Sequence, residues 1–231
     1  MRILAIDTAT SSCSVALWCD GAVISSRNQK MSRGHAESLV PFVQHVLEEA
    51  KVIADNLDLL VVTIGPGAFT GLRIGLATAR GIALVARVPC LGLTTTEVIA
   101  HEVKKNIWQQ GTLLVALESK RADIYAQAFG LGHKPINEAS AIDPSKLGEW
   151  LQDAPGPFHV VGDARLQADE ALTKAGFETI VSEKPEVPDG SVMAELAFKR
   201  WTGGDILEPP LPLYLRPPDA KLPRDGGRLR P

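Results

Sequence analysis

Cysteine is scarce in this sequence. Cys13, Cys19 and Cys90 are its only three, and no Cys-x-x-Cys pair occurs. That pattern offers neither a disulfide framework nor a thiolate zinc site, and it fits buried thiols in a reducing cytoplasm. Positive charge is not in excess either. The formal net charge is −3, which argues against a chain that holds nucleic acid by itself, because backbone binding needs clustered Lys and Arg. A subunit working beside an RNA-binding partner stays open. No run of about 18 apolar residues marks a membrane span. The opening MRILAIDTAT lacks the basic and apolar regions of a signal peptide. A cytoplasmic chain is therefore expected.

What is present suits a folded protein of two small lobes or one large domain. The chain has 231 residues and 45% hydrophobic content, ample for a core. RILAID (2–7) reads as a buried strand ending in an acid. CSVALWC (13–19) and AVISSR (22–27) flank Asp20-Gly21, a hairpin signal. Residues 35–50 have helical spacing, with Leu39, Val43, Val46 and Leu47 on one face and Pro41 as an irregularity. A strand over 57–65, a helix from 70, a strand over 90–93 and a helix over 94–105 complete a β-β-β-α-β-α-β-α order. Thr94 and Glu97 stand at capping-box spacing.

A weaker echo of that order follows. Strands are expected over 112–119, 122–129, 139–142 and 158–162, with helices at PSKLGEWL and ARLQADEALTKAG. Duplicated β-β-β-α-β-α lobes are the plan of actin-like (ASKHA, RNase H-like) α/β proteins. The expected division is a first lobe over 1–107, a smaller lobe over 108–190, and a helix and segment over 191–215 returning to the first lobe. A Pro-rich tail over 216–231 holds five Lys or Arg and two Asp and reads as extended when free. It is either solvated without a role or docks a partner or RNA.

GPGAFTGLRIGLATARGIALVAR (65–87) is the most unusual stretch. It opens like a phosphate loop, but the spacing fails the Walker pattern, and Thr70 stands where a Rossmann fingerprint needs its third glycine. An anion at the helix entrance keeps only general support. Thr70 is the expected helix cap. Arg73, Arg80 and Arg87 recur every seven residues as one thin polar stripe. Nearly everything else is apolar or small, so burial on more than one side is expected. Gly71, Gly75 and Ala79, spaced by four, let another backbone approach closely. With Leu72, Leu76 and Ile82, and with Leu39, Val43, Val46 and Leu47 of the preceding helix, they form the expected subunit interface. Wholly internal packing is the alternative.

Other chemistry is thin. Asp7, Thr8 and Thr10 in IDTATSS, with Gly65 and Gly67, mark where an actin-like ATPase would hold magnesium and phosphate. The turn after Asp7 has no glycine before Cys13, so a structural remnant is the stronger reading and a retained nucleotide site the weaker. His35, at a helix start, reads as a cap or buried hydrogen-bonding group. His101-Glu102 begins like a zinc-protease helix, but Lys105 stands in place of the second histidine. No metal site and no catalytic residue are assigned. Glu118, Lys120, Arg121 and Asp123 read as alternating charges around a hairpin.

Together MRILAIDTATSSCSVALW, SRGHAESLVPFVQHVL, GPGAFTGLRIGLATARGIAL and PLYLRPPDAK resemble the TsaB family, also called YeaZ, of bacterial tRNA threonylcarbamoyladenosine biosynthesis. The resemblance is most specific at GPGAFTGLRIG and weakest over 130–190. Glu118, Lys120 and Asp123 depart from the aspartate, arginine and glutamate that the family's strand pattern would place there. The resemblance implies a two-lobed actin-like fold and a non-catalytic scaffold. It implies a TsaD-like transferase as heterodimer partner and a TsaE-like ATPase, with ATP and metal on those partners and no cofactor of its own. It also implies a homodimer when alone, and contact with tRNA through the complex. Thr95 and Ile99 fall where the transferase paralogue carries its metal-binding His-x-x-x-His, and neither residue replaces an imidazole. A small kinase-like phosphotransferase and a self-associating structural regulator remain as alternatives.

Overall fold

The computed structural model describes residues 1–104, 106–204 and 210–216. The tail reading falls, from residue 217 onward, outside the described residues. The first lobe is a five-stranded sheet in the order β3-β2-β1-β4-β5. Its strands are β1 (Arg2–Asp7), β2 (Ser12–Cys19), β3 (Ala22–Lys30), β4 (Leu59–Gly65) and β5 (Cys90–Thr94). β1 pairs antiparallel with β2 and parallel with β4. It is covered on both faces, so Ile3, Leu4, Ala5 and Ile6 are all buried, as a continuous apolar run requires. Edge strand β3 is mostly exposed and ends in polar residues, which blunts edge-to-edge pairing. Asp20 and Gly21 both have positive φ, 44° and 105°, as a type I′ hairpin turn demands.

Helices α1 (His35–Glu49) and α2 (Phe69–Ala86) cover one face of this sheet. Leu39, Val43 and Val46 of α1 and Leu76, Ala79 and Ala83 of α2 meet Leu4, Ile6, Val15 and Val62 there. The opposite face is covered by the C-terminal helix, labelled α6 below, which spans Gly190–Gly203. Its Met193, Ala194, Leu196 and Ala197 pack on Ile3, Ala5, Leu59 and Val61. Trp18 and Phe198 add a ring contact at 4.4 Å. Between them, α3 (Thr95–Glu102) is capped by Thr94, whose hydroxyl accepts from the Glu97 amide at 3.2 Å. This is the first half of the expected capping box, and the Glu97 side chain also pairs with Arg200 of α6.

The second lobe repeats the plan. Strands β6 (Thr112–Glu118), β7 (Ile124–Gly130), β8 (Lys134–Pro135), β10 (Phe158–Val161) and β11 (Thr179–Val181) lie in the order β11-β10-β6-β7-β8. β9 (Ser140–Ile142) also pairs with β7. This is the first lobe's strand order, with β6 in the place of β1. One face is covered by α4 (Leu147–Trp150) and α5 (Arg165–Lys174). The other receives Ile99, Ala100 and Val103, together with Trp108. Helix α3 therefore serves both lobes: Val98 joins the first core and Ile99 the second. Sequence patterns missed β8 and β11, which are too short to show a period.

Two local expectations change. Helix α2 begins at Phe69 with Ala68 at its cap position and no side-chain cap, so Thr70 lies inside the first turn. Ala68 is held instead by donating its amide to Ala9 at 2.7 Å. Helix α2 is also, among the described residues, the one helix long and apolar enough to match a membrane span. Here one side of it is a core helix, with Leu72, Leu76 and Ala79 buried.

Candidate functional site: the cleft between the lobes

A cleft of about 990 Å³ separates the lobes. Its first-lobe wall is the turn after β1, the start of α1 and the start of α2. Its second-lobe wall is the β6–β7 hairpin and Asp163, which follows β10. This is where an actin-like enzyme would hold a nucleotide, and the five residues singled out for that role separate. Thr10 and Gly67 line the cleft. Asp7 and Thr8 are buried away from it, at 0% and 1% exposure.

The Asp7 carboxylate is engaged inside the protein. One oxygen accepts from the Ala9 amide at 3.0 Å and from the Thr63 hydroxyl at 2.6 Å, and the other faces the Ser12 hydroxyl at 3.5 Å. Burial pushes its pKa up to about 6, against those hydrogen bonds. His35 closes the turn from the other side. Its Nε2 lies 3.2 Å from the Thr10 carbonyl and 3.1 Å from that of Ser12, a donor shared between the two. The buried hydrogen-bonding role expected for this histidine is the one it plays.

The glycines of 65–75 face this turn and the chain end. The Thr8 hydroxyl donates to the Gly71 carbonyl at 2.7 Å. A Cβ on Gly71 would overlap the Thr8 carbonyl, one on Gly75 would lie 2.5 Å from the Thr8 hydroxyl, and one on Gly67 would overlap the Ala9 carbonyl. Gly65 has φ 114°, and a Cβ there would lie 2.7 Å from the Leu213 carbonyl. The close approach read from the glycine spacing is real, and its partner is Thr8 of the same chain, by its carbonyl at Gly71 and its hydroxyl at Gly75. Of the ten residues expected at a subunit interface, Leu39, Val43, Val46, Gly71, Leu72, Gly75, Leu76 and Ala79 are buried within the chain. Leu47 and Ile82 are half-buried against the same core. Beyond its first turn, the surface that α2 presents outward is Arg73, Ala77, Arg80, Gly81, Leu84 and Val85. Leu84 and Val85 are 80% and 75% exposed.

The arginine stripe has an unforeseen use. Arg73 donates to the Tyr214 hydroxyl at 3.1 Å and lies 3.8 Å over the Phe69 ring. Arg80 donates to the Pro210 carbonyl. Both hold the segment 210–216 against the first lobe, and its Leu213, Tyr214, Leu215 and Arg216 line the cleft. Sequence reasoning missed Asp163 as well. Its carboxylate accepts from the Glu118 amide at 2.7 Å, and burial pushes its pKa up to about 6. Glu118, Lys120 and Arg121 line the cleft, so the hairpin charges face the first lobe. Asp123 accepts from the Ser119 hydroxyl at 2.6 Å and pairs with Arg216. Thr95 and Ile99 are fully buried. Among the described residues no three His, Cys, Asp or Glu side chains gather as a metal site.

Known proteins share this architecture. The family model for TsaD, tRNA N6-adenosine threonylcarbamoyltransferase, matches residues 23–182. The tRNA threonylcarbamoyladenosine biosynthesis protein TsaB of Escherichia coli (strain K12) is 31% identical over 226 residues, covering 94% of this chain and 95% of that one. TsaB of Bacillus subtilis (strain 168) is 24% identical over 230 residues, 96% of each. The structure of YeaZ from Pseudomonas aeruginosa aligns with a TM-score of 0.77 at 24% identity, over 93% of this chain and 99% of that one. A ROK hexokinase from Thermus thermophilus shares the fold at a TM-score of 0.52 and 12% identity, over 87% and 100% of the two chains. The fold is thus the actin-like, sugar-kinase-like one, and the chain belongs to the TsaB family.

Proposed function

We propose that this chain is a non-catalytic scaffold and activator in tRNA threonylcarbamoyladenosine formation. It works with a TsaD-like transferase and a TsaE-like ATPase, which carry the metal and the ATP. The transferase moves a threonylcarbamoyl group from its adenylate to the adenosine beside the anticodon, and tRNA is met through the complex in the cytoplasm. Family membership supports the pathway. The observation that carries the non-catalytic role is the self-satisfied turn after β1. Asp7 spends its carboxylate on internal donors, and Thr8 fills the glycine notch of α2. A phosphate would have to displace protein backbone there. Buried Thr95 and Ile99, at the positions of the paralogue's metal-binding histidines, support the same reading.

The scaffold surface is the outward side of α2 with the neighbouring exposed part of α1, where Val40 is 49% exposed. It pairs two copies when the chain is alone and takes the transferase when that is present. Reconstitution tests the proposal. Unmodified tRNA, a supply of threonylcarbamoyl-adenylate, ATP and the two partners should give modified tRNA only when this chain is added. The purified chain alone should give neither transfer nor steady ATP hydrolysis. Full modification without it, or robust turnover by it alone, overturns the reading.

A further inference from the structure

We infer that residues 210–216 are a strap that latches the second lobe to the first and holds the cleft at its width. Three observations define it. The strap is built into the first lobe: Arg80 donates to the Pro210 carbonyl, the Leu213 amide donates to the Ile64 carbonyl at 2.7 Å, and Arg73 donates to the Tyr214 hydroxyl. Two positions are glycine where it passes. A Cβ on Gly65 would lie 2.7 Å from the Leu213 carbonyl, and one on Gly92 would lie 3.1 Å from the Pro210 Cβ. At Arg216 the strap reaches the second lobe, where that residue pairs with Asp123 of the β6–β7 hairpin.

The rest of the lobe–lobe contact explains why this matters. At the base of the cleft α3 joins the two cores: Ile99 packs with Leu113 and Phe129, Thr96 bonds Gln127, and His101 stacks on His133. That packing is a hinge, and a hinge alone leaves the rims free to separate. Among the described residues, the ion pairs Lys30–Glu186 and Arg216–Asp123 cross the rims. Lys30–Glu186 has a lysine that is 74% exposed, whereas Arg216 and Asp123 are 30% and 11% exposed. An exposed lysine pair is screened and adds little. The better-buried arginine pair, anchored along six preceding residues, is the effective latch. A ligand or partner that took Asp123 or Arg216 for itself would release the second lobe.

The test uses the isolated full-length chain. Spin labels at Glu48 and Asp153, on a background with Cys19 and Cys90 as serine, report the distance between the lobes. Amide exchange followed by NMR reports Leu213 and the 118–124 hairpin. Arg216→Gln and Asp123→Asn should each broaden and lengthen the distance distribution, and should speed exchange in the hairpin roughly fivefold, the size of a partly buried ion pair. Arg216→Lys should fall between them and the parent. Lys30→Gln should change neither reading. Melting curves check that each variant stays folded, and a variant that unfolds is replaced by Arg216→Met. An unchanged distance distribution in folded Arg216 and Asp123 variants overturns the latch, as does an equal effect from Lys30→Gln.

Discussion

Thr8 and Gly71 are interlocked: the Thr8 hydroxyl donates to the Gly71 carbonyl at 2.7 Å, and the Thr8 carbonyl occupies the space a Gly71 side chain would need. The obstacle is backbone in a turn already fixed by Asp7 and His35, so it cannot swing aside. Gly71→Ala should therefore cost about 3 kcal/mol or prevent folding, as overpacking against fixed groups does. A side chain at Gly81, on the same helix, would meet open space, with nothing within 4 Å of its Cβ. Gly81→Ala should stabilise the isolated chain by about 0.5–1 kcal/mol through helix propensity and lost unfolded-state freedom. Urea denaturation of the two variants checks both signs.

Asp7 gives a pH signature. Its pKa is about 6 in the fold against an ordinary 3.8, so the folded chain binds the extra proton between those values. The group's contribution therefore weakens the fold as pH climbs from about 4 to 6 and is flat above that. Asp163, pushed up to about 6, and Glu102, pushed up to about 7, act in the same direction through burial. In Asp7→Asn the amide oxygen still accepts from Ala9 and Thr63, and its NH₂ can donate to Ser12. The variant should lose the Asp7 share of the slope and gain roughly 1–3 kcal/mol at pH 7. Reconstituted tRNA modification should survive. Loss of modification in a folded Asp7→Asn chain would restore a magnesium role to this residue.

Helix α6 belongs energetically to the first lobe. Met193 is fully buried against Ile3, Ala5, Leu59 and Val61, so Met193→Ala should cost about 2–5 kcal/mol. A chain ending at residue 189 should lose cooperative unfolding of the first lobe, because the part of this sheet face under α6, which α3 does not cover, would meet water. Circular dichroism melts compare the two, and a sharp unchanged transition in the truncated chain would contradict this packing.

The sequence patterns conveyed much of this architecture. The buried run of β1, the Asp20-Gly21 turn, the Thr94 cap and both long helices were all legible, because each depends on neighbours within a few residues. The duplication was legible as order, and the repeated strand arrangement makes it plain. What spacing could not convey was the identity of a partner. The notch of Gly71 and Gly75 signals that something comes close, but only the fold shows it to be Thr8, 63 residues from Gly71. The arginine period of α2 signals a special stripe, and its partners Pro210 and Tyr214 lie 130 and 141 positions away. The Arg216–Asp123 pair has no local signature on either side.

That distinction decides how the scaffold surface is best tested. A charge placed at Gly75 or Ala79 would strike the interior, since both are buried, and a lost complex would then report a lost fold. Leu84 and Val85 are 80% and 75% exposed, and neither belongs to a buried cluster. Leu84→Glu and Val85→Lys should each leave the unfolding free energy of a dilute, monomeric sample within the range of ordinary surface changes, about ±0.5 kcal/mol. Each should weaken self-association and binding to the TsaD-like partner at least tenfold, because burying an unpaired charge costs more than the lost apolar contact. Leu76→Ala, on the inner side of the same helix, should do the reverse. It should lower stability by about 2–5 kcal/mol and leave partner affinity per folded molecule unchanged. Sedimentation velocity with titration calorimetry separates the two patterns, and unaltered association in folded Leu84→Glu would remove the outer side of α2 from the interface.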